Sequence, residues 1–378
     1  GRLAESFDQD HAGWGEGAKF PMPRTIEFAL KREREQATGT LDAIRTHLQD
    51  GDGGFFRYAA QEDWSSPSRE KLLDTNAALL RAFANAYLST GAPAYRATAE
   101  RAMEYLTTTL WTGDGFAGSE RPADDTEGVP RIDRTVFADR NGMAIDALLT
   151  YHAYTDNERA REYAELALDN LRSELLEDGY PIHYRDAGET GPRGLLGDAA
   201  AVLAALTTAH EVLGADVITE ARSVADATID RLHDEGGFVD GPPEGLALLD
   251  RPLRPIDDNY EIAAALFDVH AFTGIDRYRD AASDAIGAFA GAREQLGVQV
   301  AGFGSVASRL VGRPLRIEVG APAGSDLHRA ALRVGDHEKV VVPAVEGLDD
   351  RARVIVGDQE SDPVASPGAL ADRVTELV

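Results

Sequence analysis

The sequence predicts an all-α (α/α)6 toroid of helical hairpins with a small C-terminal α/β appendage. Three observations predict it: a unit of about 60 residues that recurs along the chain, a first helix in each unit that is apolar on nearly every side, and a glycine-aromatic turn after each second helix. Such helical pairs bury their apolar faces only against neighbouring pairs, so several copies share one core. An open solenoid is the alternative, but it requires polar capping repeats. The first and last helices here are not obviously polar.

The repeat is clearest where four predicted inner helices begin, with the strings DTNAALL, DRNGMAI, LGDAAAV and DDNYEIA. An Asn or Asp recurs at one place in each string, 57 to 65 residues apart. These four residues are Asn76, Asn141, Asp198 and Asn259. In the third repeat, residues 199–213 are apolar on nearly all sides, which predicts a helix buried all round.

The second helix of each unit carries a single apolar stripe, as in Tyr163, Ala167, Leu168, Leu171 and Leu175. That spacing predicts an outer helix with one buried face. The turns that follow the second helices read DGGFFRY, GDGFAGS, EDGYPIHY and DEGGFVDG. A further pair at about 23–36 and 40–49, with an inner-type helix near 302–311, gives five hairpins and part of a sixth.

The composition changes at Gly312, which we interpret as a domain boundary. The strings RPLRIEV, KVVVPAV and ARVIVG predict short strands, and residues 326–333 and 368–377 predict helices. The expected domains are therefore a barrel at 1–312 and a small α/β appendage at 313–378.

Composition excludes several classes of function. The 378 residues include no cysteine, so the chain holds no disulfide framework, thiolate nucleophile or zinc-cysteine site. A formal charge of -27 repels phosphate backbones and anionic lipid, so we expect neither nucleic acid nor a membrane as a partner.

The acidity itself predicts a location. Only four residues are lysine, and nearly all the positive charge is arginine. Because concentrated salt screens repulsion among surface carboxylates, we expect a halophilic, cytoplasmic protein; an ordinary acidic protein is the alternative. No signal peptide opens the chain, and no run of about 18 apolar residues occurs in it. Since the first residue is Gly1 rather than Met, a missing N-terminal domain has to be allowed for.

In a toroid, the inner-helix ends and the glycine-aromatic loops converge on one mouth, which is the default pocket. Helix N-termini there can orient a sugar hydroxyl or a carboxylate. The candidate residues at these helix starts are Asn76, Asp139, Asn141, Asp198, Asp258 and Asn259. The alternative is that the Asn and Asp residues only cap helices, which these residue types do well.

One loop combines charge with aromatic surface, at Arg57, Tyr58, Asp63 and Trp64. Saccharides offer both C–H faces and hydroxyls, so their sites pair an aromatic platform with carboxylate and guanidinium groups. The alternative is a loop ion pair with Trp64 as a core residue.

Epimerase or isomerase chemistry needs a group that removes a proton beside a carbonyl and one that returns it, and histidine suits both roles. His183 lies in the turn EDGYPIHY, and His11 lies near the N-terminus, so these two are the candidates. The inner-helix histidines are expected to pack or hydrogen-bond in the core: His152, His210 and His270. The others are expected at the surface: His47, His233, His328 and His337.

A glycoside hydrolase would need two carboxylates about 5 to 9.5 Å apart. Asp63, Asp139, Asp198 and Asp258 are possible members of such a pair, although 65 acidic residues make coincidence easy. No metal site is expected, because no His-Glu-x-x-His occurs and DGDGG lacks the remaining ligands of a calcium loop. GWGEG and GFGS do not follow strands in a βαβ unit, so no cofactor is expected either.

Two long strings, HAGWGEGAKFPMP at 11–23 and GGFFRYAAQEDWSSPSREKLLDTNAALL at 53–80, resemble a known family. It is the thioredoxin-domain-containing, spermatogenesis-associated-protein-like family, in which a thioredoxin-like domain precedes a barrel of the N-acylglucosamine 2-epimerase type. RNGMAIDAL at 140–148 and DPVASPGALADRV at 362–374 resemble later segments of that family. Arg140 replaces the family's usual tryptophan, and the cysteines common in its tail are absent.

The resemblance implies a six-hairpin glycosidase-like barrel that acts on carbohydrate. The leading hypothesis is a sugar epimerase or isomerase, with His183 or His11 moving the proton and Trp14 or Trp64 as platform. Asp63 is expected in the catalytic group, and Lys19, Arg57 and Tyr58 among the substrate ligands. The alternatives are a glycoside hydrolase with paired carboxylates, or a non-catalytic binding module partnered with an N-terminal thioredoxin-like domain of the full-length chain.

Overall fold

The computed structural model describes residues 2–123, 128–242, 252–292 and 297–378. Within these ranges, six helices form an inner ring in which each packs on the next and the last packs on the first. They are α2 (Pro23–Arg32), α4 (Leu73–Thr90), α6 (Ala138–Thr155), α8 (Leu196–Leu213), α10 (Ile256–Thr273) and α12 (Ala301–Val311). The predicted (α/α)6 toroid is confirmed.

Five amphipathic helices surround this ring. They are α3 (Arg34–His47), α5 (Pro93–Tyr105), α7 (Glu158–Glu174), α9 (Ile218–Leu232) and α11 (Asp276–Phe289). A π-helical turn, Leu106–Leu110, extends α5, and a short α1 (Arg2–Glu5) opens the chain. The break between the first two long helices lies earlier than the sequence predicts, at Glu33, whose φ of -139° is not helical. Neither Gly nor Pro marks that break, which is why the pattern missed it.

Helix α8 is buried as an inner helix should be. By length and composition alone it could cross a membrane, but 61% of it is buried inside the protein. An inner helix contacts other helices on most sides, so it needs the same apolar composition as a membrane span.

Short strands join the loops where α4, α6, α8 and α10 begin, and we call this end of the toroid the mouth. Antiparallel pairing links these strands into small sheets. The first sheet contains β1 (Lys71–Leu72), β2 (Ser119–Arg121) and β3 (Arg131–Asp133). A second contains β4 (Val136–Phe137), β7 (Tyr184–Asp186) and β8 (Glu189–Thr190), and two hairpins contain β5 (Leu176–Glu177) with β6 (Tyr180–Pro181) and β9 (His233–Asp234) with β10 (Gly237–Phe238).

The appendage follows α12 and contains a four-stranded sheet of order β12-β11-β13-β14. Strands β11 and β12 are parallel, and the other pairs are antiparallel. Its elements are β11 (Leu315–Val319), α13 (Asp326–Leu332), β12 (Val340–Val342), β13 (Ala352–Val356), β14 (Gln359–Glu360) and α14 (Pro367–Leu377).

The appendage packs on the C-terminal ends of the inner helices, opposite the mouth, and we call this end the floor. His328 Nε2 lies 2.8 Å from the Glu211 carbonyl oxygen in α8, and Arg333 Nε donates to the Ala153 carbonyl oxygen in α6. The expectation of a surface His328 is therefore wrong, because this contact buries the ring completely.

Three inner helices end in the same histidine contact. The Nδ1 atoms of His152, His210 and His270 each lie 3.1 Å from a backbone carbonyl oxygen five residues further along the chain. The predicted hydrogen-bonding role of these residues is confirmed, and it satisfies backbone groups just beyond the helix ends.

Candidate active site

In three of the four repeats, a buried asparagine near the start of the inner helix hydrogen-bonds to the preceding turn at the mouth. In α6, Asn141 Oδ1 accepts from the Phe116 N–H at 2.8 Å, and its Nδ2 donates to the carbonyl oxygens of Phe116 at 3.1 Å and Phe137 at 2.9 Å. We call this arrangement the asparagine clamp. The same contacts join Asn76 to Phe55 and Leu72, and Asn259 to Phe238 and Pro255.

In two of the three turns, the clamp leaves little room for a side chain on the glycine that precedes the phenylalanine. A Cβ on Gly237 would lie 2.9 Å from Asn259 Oδ1, and the φ of this glycine is +92°. A Cβ on Gly115 would lie 3.2 Å from Asn141 Oδ1. The three asparagines are buried with their amides occupied by backbone groups, so their role is structural and the capping alternative is close to what the structure shows.

The third repeat has no clamp. In each phenylalanine turn, the N–H of the residue after the phenylalanine bonds to a leucine carbonyl oxygen at the end of the preceding outer helix. In the third repeat, the N–H of Ile182 makes this bond to the Leu175 carbonyl oxygen, so Pro181 lies where the other turns have phenylalanine. Proline has no N–H to give, and the Pro181 carbonyl already accepts from Gly194. The residue of α8 at the clamp position, the fourth of the helix, is Ala199, which has no side-chain amide. The predicted equivalence of Asp198 with the three asparagines is therefore wrong by one residue, and Asp198 corresponds to Asp258 of α10.

Asp198 binds His183 instead. His183 Nδ1 lies 3.0 Å from Asp198 Oδ1 and 3.1 Å from Oδ2. The carboxylate is 2% exposed, whereas the imidazole side chain is 30% exposed. The rings of Phe137 and Tyr184 pack edge-on to His183 at centroid distances of 5.5 and 5.8 Å. The imidazole is thus held in a fixed orientation by a buried acid while part of it stays accessible, and we call this pair the dyad.

A third titratable group, Asp139 of α6, lies beside the dyad. One ligand atom from each of Asp139, His183 and Asp198 lies within 4.8 Å of the others. The hydrogen bond that His183 donates to Asp198 raises the pKa of His183, and burial followed by the Asp198 charge raises the pKa of Asp139. Each group therefore holds its proton at a higher pH than it would in water.

Asp139 also lines a cavity inside the mouth, which we call the upper cavity and which has a volume of about 240 Å³. Asp258 of α10 lies on the same wall, close to Gly197, with its Oδ1 3.5 Å from where a Cβ on that glycine would be. Burial, and then the charges of Asp257 and Glu261, raise the pKa of Asp258 to about 6. This carboxyl can therefore carry a proton close to neutral pH.

A layer of charged side chains lies at the inner end of the upper cavity. Arg24 binds both carboxylate oxygens of Glu261, at 2.6 and 2.7 Å, and donates to Glu27 at 2.9 Å. Arg81 lies 3.3 Å from Asp146 and 3.5 Å from Glu27. We call these five residues the charged layer. Sequence reasoning missed it, although charges inside otherwise apolar inner helices were a signal that could have found it.

The aromatic residues near the N-terminus do not line the upper cavity. Trp64 is 1% exposed and donates from Nε1 to the His11 carbonyl oxygen, and Trp14 is 2% exposed. Lys19 is buried and donates to Asp8 at 2.7 Å. Both indole rings are covered by protein, so they offer no platform to a sugar.

His11 and its neighbours pack against outer helix α3 and not beside the dyad. His11 Nδ1 lies 3.4 Å from Asp8, and a Cβ on Gly39 of α3 would lie 3.9 Å from that of Ala12. Among the described residues, His11 is not part of the group formed by Asp139, His183 and Asp198.

The rest of the predicted loop cluster lies near this segment. Arg57 is exposed and bonds to Glu70 at 3.1 Å, while Tyr58 stacks on Phe20 with a centroid distance of 5.0 Å. Asp63 is exposed and accepts from the Ser65 N–H within its own turn. None of these residues lines the upper cavity. Of the predicted site residues, the structure brings together His183, Asp198 and Asp139, and Asp258 lines the upper cavity together with Asp139.

The dyad with Asp139 also has the donor set for a divalent cation, since imidazole nitrogen and two carboxylates suit such ions. The distances of 3.0 and 3.1 Å between His183 and Asp198 suit a direct hydrogen bond as well. The donors thus fit an ion, and the hydrogen bond alone also accounts for the contact.

Comparison with known proteins finds relatives that match about a third of this chain and a smaller share of their own length. No protein-family model matches it. It is 29% identical over 137 residues to spermatogenesis-associated protein 20 of Mus musculus and 28% identical over 140 residues to that of Homo sapiens. Each match covers 32% of this chain but only 17% of the relative. The predicted resemblance to the spermatogenesis-associated-protein-like family is confirmed.

Solved structures share the toroid. A sugar epimerase from a ruminal bacterium matches with a TM-score of 0.65 and 14% identity, covering 76% of this chain and 82% of that one. A D-mannose isomerase matches with a TM-score of 0.60 and 13% identity, covering 75% and 82%. The GH76 alpha-mannanase BT2949 of Bacteroides thetaiotaomicron matches with a TM-score of 0.56 and 13% identity, covering 75% and 81%. At these identities the likeness shows the fold.

Proposed function

We propose that this chain is a sugar epimerase or isomerase that transfers a proton at the mouth of the toroid. The observation that carries the proposal is the dyad, in which a buried Asp198 orients a part-exposed His183 in the described repeat that has no asparagine clamp. Structural neighbours named as a sugar epimerase and a mannose isomerase support the substrate class.

The dyad has the chemistry that the reaction needs. When Nδ1–H donates to Asp198, the lone pair is on Nε2, and this nitrogen is the one left to act as base. It takes the C2 proton of an open-chain aldose, and the C–H electron pair moves into an enediolate. Returning a proton to the opposite face of C2 gives the epimer, and returning it to C1 gives the ketose.

A second proton donor, Asp258, lines the upper cavity together with Asp139, the acid that lies beside the dyad. Protonated Asp258 can deliver a proton from a different direction than His183, because it projects from α10 rather than from the turn before α8. Its pKa of about 6 keeps part of the population protonated near neutral pH. Epimerisation requires proton transfer at both faces of C2, and His183 and Asp258 can each act at one of them.

The test is proton NMR of the chain in high-salt deuterium oxide with cellobiose, D-mannose, D-fructose and N-acetylhexosamines. Solvent deuterium entering at C2 of an aldose, or at C1 of fructose, reports proton removal even when no product accumulates. We expect exchange with the wild-type chain and its loss in His183→Ala and Asp198→Asn. A parallel sample with a chelator distinguishes a metal-free dyad, which keeps its activity, from a cation held by the same donors.

Two histidine variants serve as controls. His47→Ala removes an exposed imidazole from the end of α3, and His11→Ala removes the other predicted base; both should keep full exchange. The proposal fails if no sugar exchanges with the folded wild-type chain, or if His183→Ala exchanges as fast as wild type. The binding-module hypothesis then becomes the one to pursue.

A glycoside hydrolase is the second candidate, and the raised pKa of Asp258 favours it. An acid that stays protonated near pH 6 can protonate a leaving oxygen, while Asp139 on the same cavity wall can act as the second carboxylate. Release of p-nitrophenol from nitrophenyl glycosides, abolished by Asp258→Asn but not by His183→Ala, would select this function over epimerisation.

A further inference from the structure

The toroid contains a second cavity between the charged layer and the floor, with a volume of about 130 Å³, which we call the lower cavity. It shares Arg24, Asp146, Ala204 and Glu261 with the upper cavity, so the two adjoin. Its wall is rich in side chains that can bond to hydroxyl groups. These include Asn85, Asp146, Thr150, Tyr154, Thr208 and Asp268.

The appendage places a lysine in this cavity. Lys339 precedes β12, is 9% exposed and lines the lower cavity. Its Nζ donates to the Asp336 carbonyl oxygen at 3.2 Å and lies 5.5 Å from the centre of the Tyr154 ring. Among the residues that the structure describes, no carboxylate oxygen lies within 4 Å of this amine. The other three lysines each bind a carboxylate at close range: Lys19 with Asp8, Lys31 with Asp336 and Lys71 with Asp52.

The surroundings make the neutral amine of Lys339 more accessible than that of a lysine in water. Burial lowers the pKa of Lys339 to about 8, against the opposing charges of Glu211 and Asp336. Burial raises the pKa of Glu211 to about 7, so this acid can take up and return a proton close to the amine. Glu211 is held in place by the Val341 N–H, which donates to its Oε1 at 2.6 Å. His337, expected at the surface, also lines this cavity, as do Arg81 and Arg309.

We propose that Lys339 is a carbonyl-reactive amine that binds a short polyhydroxylated aldehyde or ketone in the lower cavity as an imine. The amine adds to the carbonyl carbon and gives a carbinolamine. Loss of the carbinolamine hydroxyl as water, with a proton from Glu211, leaves the C=N bond, and hydrolysis reverses both steps. The balance is amine plus carbonyl to imine plus water, without oxidation or reduction. Buried uncharged lysines are suited to this chemistry.

The test uses the wild-type chain and the probes glycolaldehyde and D-glyceraldehyde, with sodium cyanoborohydride to reduce any imine to a stable secondary amine. Peptide mass spectrometry then measures the labelling rate at each of the four lysines. We expect Lys339 to be labelled at least tenfold faster than the more exposed Lys31, with saturation by the probe and a pH midpoint near 8. In the urea-unfolded chain the four lysines should label at similar rates.

Faster labelling at Lys31 with Lys339 unmodified in the folded chain would overturn the proposal. Lys339→Met should remove the specific label, and because the deciding measurement is made on wild-type protein, it stands even if that variant fails to fold. The proposal rests on the proposed function only for the choice of sugar-like probes. His183→Ala should lose C2 exchange but keep Lys339 labelling, so failure at one site is distinguishable from failure at the other.

Discussion

The third repeat and the other three solve the same problem at the mouth in different ways. In three repeats, both polar atoms of a buried asparagine side chain hydrogen-bond to the backbone, including that of the preceding turn. In the third, proline in the turn and Ala199 at the clamp position leave no such contact, and the carboxylate of the preceding residue, Asp198, orients a histidine. The start of an inner helix therefore serves folding in three copies and holds the candidate catalytic pair in another, and departures from a repeat point to the candidate functional copy.

The largest effect is expected from breaking a clamp. Asn141→Ala removes three hydrogen bonds and leaves the buried Phe116 N–H and carbonyl groups unpaired. We expect the free energy of unfolding to fall by about 3 kcal/mol, measured by urea denaturation in high salt. As a matched control, Asn157→Ala removes a single N-cap contact to Ala160 and should cost about 1 kcal/mol. Equal costs for the two variants would show that the clamp contributes no more than a cap.

Neutralising Asp198 in the third repeat should have the opposite profile. Asp198→Asn keeps the shape of the side chain but removes the charge that raises the pKa of His183. We expect sugar exchange to fall by about a hundredfold or more, the pKa of His183 to fall, and stability to change by less than about 1 kcal/mol.

Exchange by NMR and a histidine titration measure these effects. Asp74→Asn, in the first turn of α4 where Asp74 accepts from Thr75, is the control that should leave activity unchanged. Retention of full exchange in Asp198→Asn would mean that the dyad has no catalytic role.

Much of the fold was predictable from the sequence because its signals are local and repeated. The apolar inner helices, the striped outer helices and the glycine-aromatic turns each follow from spacing. The helix break at Glu33 was not predictable, because no residue there has a distinctive backbone preference. Repeat alignment also placed Asn76, Asn141 and Asn259 together, but the partner of each amide is a backbone group that no side-chain pattern encodes.

The candidate site was predictable only in part. His183 was recognised from its place in a turn at the mouth, and Asp198 from its place in the repeat, but their pairing depends on how the turn before α8 folds back. The most specific strings misled about chemistry, because Trp14, Lys19 and Trp64 are buried and none of them lines the upper cavity. Lys339 reaches the lower cavity from the appendage, which sequence spacing cannot show.

Ionising the partly buried Asp258 costs free energy in the folded chain, and this cost gives a third prediction. The pKa of Asp258 is about 6 in the folded chain against an ordinary 3.8, so the native state holds this proton more tightly than the unfolded chain. Stability from this group is therefore present at low pH and is lost as pH rises from about 4 through 6. Asp258→Asn should stabilise the chain by roughly 1 kcal/mol at pH 7.5, a value already reduced for partial exposure.

That gain should shrink at pH 4.5, where wild-type Asp258 is largely protonated, and urea denaturation at the two pH values measures the difference. A gain of the same size at both would show that Asn repacks the wall rather than relieving a charge. No such pH-dependent gain is expected at the clamp asparagines, which carry no proton to lose.

The smallest effect is expected at Arg140, which replaces the tryptophan of the resembled family. Its guanidinium lies 4.4 Å from the centre of the Phe137 ring and donates to the Gly118 carbonyl oxygen. Its charge lowers the pKa of both His183 and Asp139, but less than Asp198 raises that of His183. Arg140→Met should therefore raise both pKa values, so that the imidazole becomes available as a base only at a higher pH. A histidine titration and the pH profile of sugar exchange should move together in that direction. A profile that shifts to lower pH would mean that Arg140 acts on substrate rather than on the dyad.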